Sequence, residues 1–338
     1  MGTALLISGA AEAYILHTFG GFAGILLSFT ENQYKFNDTG WLFMLSESLP
    51  ILIMIGVAGL SWKRRISWLL LGPLLVVVVG LEFVLGGLRG SRQNIIWAVV
   101  WALGIIHFGI RPVSRRTIGV CALLMLGFMY FYGFYKYAGL DAMTGMMDSQ
   151  WRSEVVEKSG RSFGNVLVQD LGRSDVQSFA LFRLQDWHEY AWGRSYLGAF
   201  NLLIPRWISA DRLPTKVKWT TDLEYGEGAY DSNHYPSSRV YGLAGEAMLN
   251  FGVLGVPAAY GIFGYLMAKM RRLSLAVDPR DGRILMVPFL ACLAMVILAH
   301  DLDVDLFILV KNSMLPLAVI YFGSTRVSSR RLAPVANF

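Results

Sequence analysis

Two short polar stretches in an otherwise apolar chain hold the residues best suited to chemistry. The first is Gly87-Leu88-Arg89-Gly90-Ser91-Arg92, in which Arg89 and Arg92 flank small residues. A guanidinium presents a planar fork of donors to phosphate or carboxylate, and glycine beside it lets such a ligand approach the backbone. The same arginines would equally serve lipid head groups or cap a helix. The second stretch is Ser237 to Gly252, where Arg239, Gly242 and Glu246 recur at three- and four-residue steps and would line one face of a helix. An arginine and a carboxylate on one stripe can bind an anionic leaving group and accept a proton, or can neutralise each other as a structural pair.

The remaining polar groups are less distinctive. His188 in Trp187-His188-Glu189-Tyr190 and His234 in Asn233-His234-Tyr235-Pro236 offer imidazoles that titrate near neutrality, although a loop histidine is more often simply solvated. Leu203-Ile204-Pro205-Arg206-Trp207 reads as an amphipathic segment lying on a membrane, with Arg206 open to head groups or substrate. The aromatics around it suit stacking on sugar rings and equally an interfacial belt. Lys311 and Asn312 fall inside the last apolar stretch, where an ammonium must snorkel or meet a partner such as Asp305 or a bound phosphate. The run His300-Asp301-Leu302-Asp303-Val304-Asp305 has D-x-D spacing, but in a helix Asp301 and Asp305 share a face that Asp303 does not, and no metal is expected. There is no P-loop, dinucleotide fingerprint, zinc-ligand helix, nucleophile elbow or C-x-x-C, so no cofactor is expected.

The elements that must position these residues are membrane helices. Of 338 residues, 54% are hydrophobic and 16% charged, too few charges for an ordinary soluble domain. Apolar stretches at 3–29, 41–62, 66–87, 95–110, 117–137, 240–268, 284–300 and 305–323 give about eight spans. The first carries Glu12, His17 and Gly20-Gly21, and reads as a broken or re-entrant helix as readily as a clean crossing. The net charge of +6 is gathered in tight clusters between the spans, at 63–65, 111–116, 269–283 and 326–331, which exclude nucleic acid as the partner and mark one face as cytoplasmic. The opposite face then holds 30–40, 88–94, the long loop 138–239 and the acidic turn 300–305. That loop is too aromatic for a disordered tether and should fold against the membrane. The organisation is an N-terminal bundle at 1–137, the external loop at 138–239, and a C-terminal bundle at 240–338 with a cytoplasmic tail. Cys121 and Cys292 lie in apolar stretches as small hydrophobes, no repeat of fixed period is evident, and no cleaved signal peptide is expected after Met1.

Three of these stretches together resemble the oligosaccharide repeat-unit polymerases, the O-antigen polymerases of the Wzy type. The Gly87 to Arg92 turn is similar to that family's G-S-R turn. Leu203 to Trp207, followed by a Lys-containing run, is similar to its I-P-R segment, and Gly245-Glu246-Ala247-Met248-Leu249-Asn250-Phe251-Gly252 to its G-E-a-x-x-N-F-G motif, the most specific of the three. The resemblance covers about residues 15 to 325, with fewer spans than the family usually has and with Leu213-Pro214-Thr215-Lys216-Val217 where W-P-x-K-P is usual. It implies an all-α polytopic membrane protein, GT-C-like, with one large, partly helical external loop. It implies a metal-independent glycosyltransferase at the outer face of the bacterial cytoplasmic membrane, moving a growing glycan from a polyprenyl diphosphate to the terminal sugar of another lipid-linked repeat unit. Arg89, Arg92 and Arg239 would stabilise the leaving diphosphate and Glu246 would act as base. Arg206, His188, His234, Asn250 and Lys311 would bind substrate. Partners would be the lipid-linked oligosaccharide, membrane lipids, a flippase and a chain-length regulator. An O-antigen ligase, for which His234 argues, and a non-enzymatic transporter of lipid-linked glycans are the competing readings.

Overall fold

The computed structural model describes all residues except 32–39, 63–65, 88–91, 140–141, 143–144, 160–161, 163, 165–173, 187–189, 205–212, 232–239, 279–280 and 325–338. Among the described residues every regular element is a helix, and there is no strand. The N-terminal half comprises α1 (Gly2–Phe19), α2 (Gly21–Glu31), α3 (Gly40–Ser46), α4 (Leu49–Leu60), α5 (Trp68–Leu85), α6 (Arg92–Ile105), which runs on as a π turn at Ile106–Ile110, and α7 (Arg115–Ala138). The predicted loop contains α8 (Ser149–Ser159), α9 (Ser174–Asp186), α10 (Arg194–Asn201) and α11 (Lys216–Tyr225). Beyond it lie α12 (Gly242–Phe251), α13 (Gly255–Ala276), a 3-10 turn at Gly282–Met286, α14 (Val287–Ala299), α15 (Leu302–Lys311) and α16 (Met314–Gly323).

Five segments are long and apolar enough to cross a membrane: Leu42–Leu60, Trp68–Leu85, Gln93–Ile110, Arg115–Tyr135 and Gly282–Ala299. A sixth candidate is the pair α15–α16, bent by 50°. Each matches a predicted span, and the other two predicted spans are not single helices. The stretch 3–29 divides at Gly20-Gly21, where both residues adopt φ values of +74° and +83° that favour glycine. The stretch 240–268 divides after α12, whose 10 residues extend only about 15 Å.

The bundle core lies between α4, α5, α6, α14 and α16. Trp97 and Trp101 of α6 pack against Phe289 of α14 with ring centroids 5.1 and 5.0 Å away, and the buried Trp101 indole donates to the Leu285 carbonyl at 3.1 Å. Small residues permit the approach. A Cβ on Gly104 would stand 2.1 Å from the Pro288 Cβ, so Gly104→Val must force α6 from α14. We expect it to cost at least the 1–3 kcal/mol typical of overpacking, read as a lowered melting temperature in detergent; an unchanged value would show that these helices can part freely. On the outside, Leu69 and Leu70 of α5 and Leu123 and Leu124 of α7 are exposed, as lipid-facing residues would be.

A second core, of Val176, Ala180, Leu184, Leu223, Tyr241, Met248 and Leu249, joins α9 and α11 to α12. The helices of the long loop thus fold directly onto the C-terminal bundle, with α10 also packed on α15.

Candidate functional site

The ends of the bundle differ in charge. At one, the end of α4, the π turn and the 3-10 turn meet: a Cβ on Gly109 would lie about 3 Å from both Ala58 and Leu285. Arg111 crosses here to the Ile66 carbonyl at 3.2 Å and over Trp68, with Arg115 and Arg116 opening α7 and Arg283 paired to Asp281. From this end α14 rises about 20 Å over its 13 residues to Ala299 and Asp301. At the other end, α6 begins at Arg92, and Asn94 donates to the buried carboxylate of Glu47 at 3.0 Å.

Asp301 organises that second end. It is fully buried, in an extended conformation just before α15. Its Oδ1 accepts the N–H groups of Tyr241 and Gly242 at 3.0 and 2.8 Å, which fixes the start of α12. Gly242 takes φ +72° there, with the Leu298 carbonyl 3.4 Å from where a Cβ would stand, so glycine is required. The Asp301 Oδ2 lies 2.5 Å from Lys216 Nζ, itself 4% exposed. Lys216 is placed by α11, whose first turn is capped by the Thr215 hydroxyl accepting from the Val217 N–H. The ammonium also sits 5.8 Å above the Tyr241 ring.

One turn into α12, Glu246 is buried beside this ion pair. Its Oε2 accepts the Leu302 N–H at 2.7 Å, which satisfies a free donor at the start of α15, and its Oε1 faces the Ser195 hydroxyl at 3.4 Å. Asn250, four residues on and on the same face, donates to Ser195 Oγ at 2.7 Å and to the Glu246 carbonyl at 2.9 Å, while its Oδ1 accepts the Gly193 N–H at 2.9 Å. Three segments far apart in sequence are thereby joined. Burial pushes the Glu246 carboxyl up to about 8, helped by the charge of Asp301 and opposed by the Leu302 N–H and Lys216. The Tyr196 hydroxyl is raised as well, mainly by burial and then by Glu246. Such a carboxyl can take up or release a proton near neutrality.

Of the predicted site residues, Glu246 and Asn250 are brought together. Arg92 is the first residue of α6 and Lys311 the last of α15, and nothing further is described of their side chains. Arg89, His188, Arg206, His234 and Arg239 lie outside the described residues. Of the predicted stripe of Arg239, Gly242 and Glu246, Arg239 lies outside the described residues; Gly242 opens α12, Glu246 lies on it, and residues 240–241 before it are not helical. The backbone there is spent on Asp301 instead. Among the described residues no group of three acidic, histidine or cysteine side chains converges as a metal site, and both Asp301 oxygens are occupied by N–H groups and Lys216. Sequence reasoning missed Ser195, Tyr196 and Lys216, and read Asp301 as part of an acidic outer turn after setting a metal ligand aside. Lys216 had one signal, its place in the run after Pro205-Arg206.

The described residues define an all-helical protein with five helices able to cross a membrane and a buried polar network at one end of the bundle. Compared with known protein families, curated proteins and solved structures, the chain matches none.

Proposed function

We propose that the protein polymerises lipid-linked oligosaccharide repeat units at the outer face of the bacterial cytoplasmic membrane. The observation that carries this reading is the gathering of Glu246 and Asn250, from the most specific motif, at the end of the bundle where Arg92 opens α6. The opposite end holds Arg111, Arg115, Arg116 and Arg283, the side that the positive-inside rule assigns to the cytoplasm. In the proposed reaction the acceptor hydroxyl attacks the anomeric carbon of the donor glycan, and the bond to the polyprenyl diphosphate breaks. Glu246 takes the hydroxyl proton, and the diphosphate leaves against Arg89, Arg92 and Arg239. Arg206, Lys311, His188, His234 and Asn250 hold the two substrates. The donor is already activated, so no nucleotide is consumed.

The test is the length distribution of surface polysaccharide in cells with and without the gene. A polymerase gives a long ladder that collapses to single repeat units on deletion. Arg92→Ala or Arg239→Ala should do the same in protein that still inserts, with polymer formation reduced about 10²–10³-fold, as for loss of one transition-state donor. A wild-type ladder from either variant would remove that arginine from the mechanism. Long lipid-linked chains that never reach a final acceptor on deletion would instead identify a ligase.

A further inference from the structure

We infer that the face formed by α10 and the turn after α12 is immersed in the lipid leaflet at the polar-network end of the bundle. Six large apolar residues make up this face. Trp192, Leu197, Phe200, Phe251, Val253 and Leu254 are all exposed, Trp192 at 70% and Leu254 at 88%. Trp192 and Tyr196 lie 6.4 and 6.3 Å from Phe251, which Val253 and Leu254 closely follow in the chain, and Leu197 and Phe200 are exposed on α10, which buries Ser195, Gly198 and Ala199.

The depth of the surface follows from α13. From Val253 to Ala268 the chain carries no charge, and Lys269, Arg271 and Arg272 come in the last turns. Leu254 is 15 residues before Lys269, about 22 Å along a helix, whereas a hydrocarbon core is about 30 Å thick. In the inferred placement Lys269 sits at head-group level on one face, so that Leu254 stops short of the opposite boundary and lies among acyl chains. The patch continues onto α13, which exposes Tyr260, Ile262 and Tyr265 around its surface. A platform for sugar rings would need the aromatics and would gain nothing from Leu197, Val253 or Leu254.

The backbone is strained to serve this surface. Trp192 is the one non-glycine residue with positive φ among those described, at +48°. It is held there by N–H groups of Ala191 and Trp192 donating to the Leu249 and Asn250 carbonyls at 2.9 and 3.1 Å, beside the Gly193 bond to Asn250. A conformation that costs about 1–3 kcal/mol persists only where its surroundings impose it, and here it leaves the indole exposed beside Phe251. The exposed Arg194 that follows can reach head groups. Immersion is a property of the membrane protein and does not depend on the glycan reaction.

The measurement is tryptophan emission from the full chain in liposomes of acyl-brominated phosphatidylcholine. Bromine should quench a component that Trp192→Phe lacks, and an unchanged quenched fraction in that variant overturns the inference. A spin label at Leu254→Cys, in a chain with Cys121→Ser and Cys292→Ala, gives a second reading. It should be accessible to oxygen and shielded from a water-soluble nickel complex, relative to a label at Glu154→Cys on the exposed side of α8. Nickel access equal to that at 154, or Trp192 emission that responds to soluble oligosaccharide but not to bromine, would overturn it, the latter assigning the face to sugar.

Discussion

Replacing Lys216 with methionine should be among the most damaging single changes outside the bundle core. The Lys216 ammonium and Asp301 carboxylate are 4% and 0% exposed, so methionine leaves a buried carboxylate facing an apolar chain. Removing one partner of a buried pair typically costs about 3–5 kcal/mol, because the remaining charge keeps its desolvation penalty. Asp301 also holds the start of α12, so the loss should reach Glu246 as well. Lys216→Met with Asp301→Asn should recover much of the stability, since a neutral amide oxygen can still accept the Tyr241 and Gly242 N–H groups. Thermal melts of wild type, both single variants and the double variant form a cycle that measures the coupling. Additive losses would show that Lys216 and Asp301 do not depend on each other.

Substituting Glu246 separates two roles that the geometry allows. One oxygen caps the N-terminus of α15 through Leu302, and the buried acid is poised to exchange a proton. Glu246→Gln keeps an oxygen for the Leu302 N–H and cannot act as a base. If Glu246 is the base, polymer formation should fall by about 10²–10⁴-fold while folded protein is retained, and wild-type activity should decline as pH falls below about 8. The stability change has its own sign. The folded carboxyl binds its proton more tightly than the ordinary value of 4.5, so its contribution is fully present below that pH and is lost as pH rises through about 8. Glu246→Gln should therefore flatten the fall in melting temperature across that window. A glutamine variant with a normal ladder would make Glu246 a cap only.

The helices long and apolar enough to cross a membrane, α4 to α7 and α14, are legible in the sequence because each belongs to an apolar run of sufficient length. The run 240–268 looks the same but folds as two helices, since one glycine in an apolar stretch does not reveal its conformation. Gly252 takes φ +68°, and Gly255 comes so close to α12 that a Cβ would lie 2.8 Å from the Ala247 carbonyl. Glu246 and Asn250 could be read together from their four-residue spacing on one helix. Ser195, Lys216 and Asp301 could not, because each reaches the network from a segment at least 50 residues from Glu246 or 30 from it in the case of Lys216, and a single sequence carries no record of such pairings. The D-x-D spacing drew attention to metal, whereas Asp301 is used by backbone N–H groups whose need for a partner appears only once α12 and α15 are side by side.

The break between α15 and α16 bears on how the protein is assembled in the cell. Asn312 and Ser313 are buried at the bend, where the Ser313 hydroxyl donates to the Ile308 carbonyl at 3.1 Å in place of the missing helical turn. On the ribosome, this segment emerges with Asp303, Asp305 and Lys311 along it, each unfavourable by about 2.5–3.5 kcal/mol at the centre of a bilayer. It is a poor candidate to partition into lipid by itself. The groups that hold it come earlier in the chain: α14 precedes it, and Lys216 and the Tyr241 N–H donate to Asp301. The pair is thus expected to enter a membrane by docking against these groups, and Asp301→Ala should impair the pair's insertion more than that of α14.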